Sequence, residues 1–94
     1  MKKVYSIRRH YNNGEGHERI WMDSTFELSN THPIDDDVLD FIKKDAESLG
    51  FDKEDWEYVE FWDWNCKNRI GCVSYGETIL GPGVQYFTRI KGIN

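Results

Sequence analysis

An α+β fold of two layers, an antiparallel sheet of about five strands with one helix packed on one face, is what this chain implies. Two early segments alternate apolar and polar residues at period two. A middle segment repeats its apolar residues at three- and four-residue steps, and the remainder alternates again between turn residues. The order is therefore ββαβββ, and hairpins running around a single helix build an antiparallel sheet that the helix covers on one side. Ninety-four residues allow one domain, 1–94, that buries roughly 60–65% of its unfolded surface.

The first strand spans residues 3–11, with Tyr5, Ile7 and Tyr11 on one parity and Ser6, Arg8 and His10 on the other. Asn12-Asn13-Gly14-Glu15-Gly16 turns the chain back, because these residues tolerate positive φ. The second strand, 17–28, carries Ile20, Met22, Phe26 and Leu28 on its even parity, so partners sharing a face sum to an odd number. A sum of 27 sets Ile7 opposite Ile20, Tyr5 opposite Met22 and His10 opposite His17.

Ser29, Asn30 and Thr31 offer helix caps, Pro33 suits a first turn, and Asp35, Asp36 and Asp37 favour the positive end of a helix dipole. A helix of about fourteen residues follows. Val38, Leu39, Ile42, Ala46 and Leu49 form its core stripe, and Gly50 takes the left-handed position past its end. Asp36, Asp40, Lys43, Lys44 and Glu47 are left toward water.

A third strand runs from about Trp56 to Trp64 and turns at Lys67-Asn68 into a fourth over Ile70–Tyr75. A two-residue turn there sets Trp64 opposite Gly71, Trp62 opposite Val73 and Glu60 opposite Tyr75. Gly81-Pro82-Gly83 cannot continue a ladder, and a last strand over Val84–Ile90 follows it. Left uncovered at a sheet edge, that strand would pair across a two-fold axis to make a homodimer.

Charge is distributed unevenly. Twelve of the seventeen carboxylates fall between Asp35 and Asp63, opposed only by Lys43, Lys44 and Lys53, while the flanks carry nine bases against five acids; the net charge is −5. The acidic stretch ends in Trp56-Glu57-Tyr58-Val59-Glu60-Phe61-Trp62-Asp63-Trp64, where rings and carboxylates alternate. Two arrangements suit that segment. As a central strand its larger rings form the core; as an uncovered one it presents an aromatic patch rimmed by carboxylates, a surface that monomers rarely show unless they bind something. If helix and third strand share an edge, their acids form a negative ridge resembling a row of phosphates, which Arg8, Arg9, Arg19, Arg69 and Arg89 would otherwise neutralise internally.

Catalytic chemistry finds little support. No G-x-S-x-G, phosphate loop or H-E-x-x-H occurs. His10 and His17, joined by Glu15 or Glu18, form an incomplete metal set, and the expectation is no metal and no cofactor. Cys66 and Cys72 read as free thiols. The negative charge disfavours direct nucleic-acid binding, although Tyr5, Arg8, His10, Arg19 and Trp21 on one face of the first hairpin interleave arginine with aromatic rings. No apolar run of signal-peptide or membrane-spanning length follows Met1–Arg9, so the expected setting is the cytoplasm, with no membrane partner.

These observations point to a small acidic binding protein without catalytic activity. Its partner is a larger protein with a basic, nucleic-acid-binding surface, and the analogy of type is the phage anti-defence inhibitor, including those directed at CRISPR nucleases. Asp36, Asp40, Glu47, Glu57, Glu60 and Asp63 supply the steering charge and Trp62 and Trp64 the anchors. An antitoxin or immunity protein shares the same physics, and a small metal- or cysteine-dependent enzyme is the alternative of another class.

Overall fold

The computed structural model describes residues 2–12, 14, 17–27, 34, 36–66, 69–77 and 81–93, of which 2–4, 17–27 and 91–93 are described as backbone. Strands β1 (Lys2–Asn12) and β2 (His17–Glu27) form the first hairpin and are followed by helix α1 (Asp36–Ser48). Strands β3 (Trp56–Trp62), β4 (Arg69–Gly76) and β5 (Gly83–Ile93) complete the chain. All neighbouring strands pair antiparallel, in the order β2-β1-β5-β4-β3. The class is α+β, with one helix against one face of an antiparallel sheet. The expected caps Ser29, Asn30 and Thr31, the first-turn Pro33, Asp35 and the turn residues Lys67 and Asn68 lie outside the described residues.

Helix α1 forms because its apolar residues fall on one stripe: Val38, Ile42 and Ala46 are buried, and Leu39 and Leu49 are half-buried beside them. Asp36 and Asp37 in the first turn interact favourably with the exposed amides there. Its end is a Schellman motif. Gly50 has φ 96°, its N–H donates to the Glu47 carbonyl at 3.0 Å, and the Phe51 N–H donates to the Ala46 carbonyl at 3.1 Å. Phe51 then folds back onto Tyr11 and Tyr75.

Between helix and sheet lies a core in which tyrosine supplies the rings. Tyr5, Ile7, Val73, Tyr75, Val84 and Tyr86 are buried under Val38, Ile42 and Ala46, and Tyr75 meets Tyr86 edge to face at 6.4 Å. Buried phenols need partners for their hydroxyls. Tyr75 Oη donates to the Lys53 carbonyl at 2.9 Å, and Tyr86 Oη donates to Asp45 Oδ2 at 2.5 Å.

Both predicted registers shift. The first hairpin pairs Ile7 with Met22, Arg9 with Ile20, His10 with Arg19 and Asn12 with His17, two residues from the expected sum. Running the ladder out to Asn12 and His17 satisfies more main-chain groups, and Asn12 Oδ1 accepts the Gly14 N–H at 2.8 Å to close the corner. In the second hairpin Trp56 pairs with Tyr75, Tyr58 with Val73, Glu60 with Gly71 and Trp62 with Arg69. That shift of four residues leaves Trp64 in the turn, where the Cys66 N–H donates to the Asp63 carbonyl at 2.9 Å and Cys66 takes φ 57°. Gly71 explains the choice. A Cβ there would stand 2.7 Å from Tyr58 Oη and 3.1 Å from Thr88 Oγ1, so the observed register gives the Tyr58 ring a space in β4 without a side chain.

The strand order makes two further corrections. Strand β5 lies between β1 and β4, so the last strand offers no edge for pairing across a two-fold axis; the edges are β2 and β3. Strand β3 is not central: Trp56 packs half-buried against the core, and Trp62 and Trp64 stand outside it.

Candidate partner-binding surface

The surface is built from α1, β3 and the turn that follows β3. On α1, Asp36, Asp40 and Glu47 are exposed and recur with Lys43 at helical spacing along one stripe. Lys43 interrupts it: its Nζ lies 3.3 Å from Glu54 Oε2 and 6.0 Å from the centre of the Trp56 ring. Those two contacts bring the helix against the beginning of β3. The tryptophans sit at its other end, about 20 Å along the strand. The acids therefore do not merge into one straight edge, and the helix stripe and the β3 tip form two parts of a longer surface.

At that tip the side chains stand out from the sheet. Trp62 is 58% exposed and Trp64 94%, and on the opposite face of β3 Val59 is 60% and Phe61 44% exposed. Glu57 is exposed and Asp63 half-buried. Edge position accounts for this, since β3 pairs on one side only and the helix core ends at Trp56 and Tyr58, which are half-buried against it.

Not every predicted acid is an outward charge. Glu60 is half-buried, and its Oε1 lies 2.7 Å from Arg69 Nη2, a diagonal pair across β3 and β4. Asp45, expected with the other acids of the helix on the negative ridge, sits beneath the helix with its Oδ2 2.9 Å from Arg9 Nη1. Arg9 and Arg69 thus do neutralise acids internally, whereas Arg8 lies over the Phe87 ring, 5.4 Å from its centre, on the face away from the helix. Signals for Asp45 exist in the sequence. Arg9 shares the buried parity of Tyr5 and Ile7, and a cation placed there requires a counter-charge on the covering helix.

Protonation follows burial. Desolvation, aided by Glu60, pushes the Tyr58 phenol up to about 12, and desolvation with Glu54 and Asp52 does the same for Tyr75. The Tyr86 phenol is raised further by burial and by its hydrogen bond to Asp45. Burial also raises the Cys72 thiol to about 11, which keeps it protonated and unreactive near neutrality. Cys66 and Cys72 are both free, the first exposed and the second buried.

No family model, curated protein or solved structure matches this chain.

Other sequence candidates separate in space. His10 faces Arg19 in the ladder and not His17, and among the described residues no three histidine, cysteine, aspartate or glutamate side chains converge to hold a metal ion. Tyr5 is in the core and so leaves the group of Arg8 and His10. Among the described residues no helix is long and apolar enough to cross a membrane.

Proposed function

We propose that this chain is a small acidic, non-catalytic inhibitor that occupies a basic, nucleic-acid-binding surface of a larger protein, of the phage anti-defence type. The observation that carries the reading is the pair Trp62 and Trp64, 58% and 94% exposed at the tip of an edge strand whose neighbours are carboxylates. Leaving two indoles in water forgoes roughly 1.5–3 kcal/mol of burial for each, a cost that a binding partner recovers. Asp36, Asp40, Glu47 and Glu57 are exposed and steer a basic partner toward the rings. Asp63 lies between the two anchors in sequence, and Glu60 contributes less because Arg69 already compensates it. With the net charge of −5, association is fast at low ionic strength and slows as salt screens it.

Affinity capture from lysate of the source cell, at low and at high salt and read by mass spectrometry, tests this. The expected result is a basic nucleic-acid-binding protein retained at low salt, shed at high salt, and lost when Asp36, Asp40 and Glu47 are replaced by lysine. Recovery of a metal or a small molecule with no protein partner would instead favour an enzyme.

A further inference from the structure

The face of the sheet turned away from α1 carries a groove lined by arginine and aromatic side chains. Across the strands its rows read Arg8, Phe87, Cys72, Val59 and His10, Gln85, Ser74, Glu57, and the ladder continues to Trp21 beyond Arg8 and to Arg19 beyond His10. Ser6, Arg8, Phe61, Ile70, Phe87 and Arg89 line the groove, of about 270 Å³. Within it Phe61 meets Phe87 edge to face at 6.4 Å, and the Arg8 guanidinium lies over the Phe87 ring. Arg89 is exposed at its margin. By register three carboxylates share this face: Asp23 beside Ser6, Glu27 beside Lys2, and Glu57, which stands four residues from Phe61, about 13 Å along β3.

We propose that this open face binds single-stranded nucleic acid, with a base stacking on Phe61 and the guanidinium of Arg8, and a phosphate held by Arg89. Charge complementarity selects an anionic occupant: the chain is strongly acidic overall, yet it places Arg8 and Arg89 together on a groove whose described lining holds no carboxylate. The rings select a planar one, since aromatic side chains interleaved with arginine stack on any base, whereas an acidic peptide uses the charges alone. Ser6 and, one row away, His10, Gln85 and Ser74 add polar groups able to meet base edges. The groove is at the lower end of small-ligand clefts and suits one nucleotide at a time, with the strand continuing across the sheet. This site shares no residue with Trp62, Trp64 or the helix acids, so either proposal can fail alone.

Fluorescence anisotropy of a labelled short oligothymidine with the full chain tests the inference, beside a labelled polyglutamate of similar charge. Oligothymidine is expected to bind at low salt. Phe61→Ala should weaken binding at least about fivefold, and Arg89→Ala should weaken it while lowering the salt slope by about one. Lys44→Ala, an exposed cation on the helix, should leave binding unchanged. Because Phe61 and Arg89 are both exposed, circular dichroism of each variant is expected to match the parent. Absence of oligothymidine binding at low salt would overturn the proposal. So would polyglutamate binding as tightly, or Phe61→Ala binding as the parent does.

Discussion

Arg9 of β1 reaches out of the sheet to Asp45 of α1, Nη1 to Oδ2 at 2.9 Å, beneath a helix whose buried stripe of Val38, Ile42 and Ala46 is apolar. The same carboxylate oxygen accepts the Tyr86 hydroxyl, so one acid joins α1 to both β1 and β5. A charge held in this way restricts the helix to one rotation and one height over the sheet. Sliding by a turn would strand a guanidinium among Tyr5, Ile7 and Tyr86.

Replacing Asp45 by alanine should therefore destabilise the fold by about 3 kcal/mol, since it leaves Arg9 without its counter-charge. Urea unfolding measures it. The double variant Arg9→Ala/Asp45→Ala should lose clearly less than the two single losses combined. Strict additivity would show that the pair is not coupled.

This pair also marks how far the sequence could be read. The period-two segments and the helix stripe were legible because parity and helical spacing are local properties, and Gly50 was legible because an αL position at a helix end favours glycine. Registers were not, since Asn12 closing on Gly14 and Tyr58 seeking the gap at Gly71 depend on contacts between strands. Strand order was equally hidden. Whether Trp62 lies in a core or at an edge depends on β5 inserting between β1 and β4, a long-range choice that no window of sequence contains. The acidic-aromatic segment could be recognised in the sequence as a candidate surface, and the opposing Arg8–Phe87 face only in the fold.

Gly71 gives a second test. An added Cβ would lie 2.7 Å from Tyr58 Oη, so Gly71→Ala should cost about 1–3 kcal/mol. Because the nearest atom is the phenol oxygen, the same substitution in a Tyr58→Phe background should cost less. Equal losses in both backgrounds, measured by thermal or urea unfolding, would contradict the proposed steric cause.

The two thiols should differ sharply. Cys66 is exposed, whereas Cys72 is buried and its ionisation is pushed up to about 11. With a disulfide exchange reagent at mildly alkaline pH, Cys66 should react at once and Cys72 only on unfolding. Rapid modification of both in the native protein would place Cys72 wrongly.

Alkaline pH should weaken the fold. The Tyr58 and Tyr75 phenols ionise near 12 in the folded protein, against an ordinary value near 10, so the folded chain holds more protons than the unfolded chain between those values. Stability is then complete below about pH 10 and falls as pH rises toward 12. Urea midpoints should decline across that window, together with a late rise in tyrosinate absorbance. Constant midpoints would contradict the burial of these hydroxyls.

The central claim is that the rings at the tip of β3 bind a partner and do not hold the fold. The double variant Trp62→Ala/Trp64→Ala, compared with the parent by unfolding and by partner capture at low salt, tests it most directly. The account predicts an unfolding free energy within about 0.5 kcal/mol of the parent, with affinity for the captured basic protein reduced by at least about 2 kcal/mol. A variant that unfolds, or one that retains its partner at parent affinity, would contradict it.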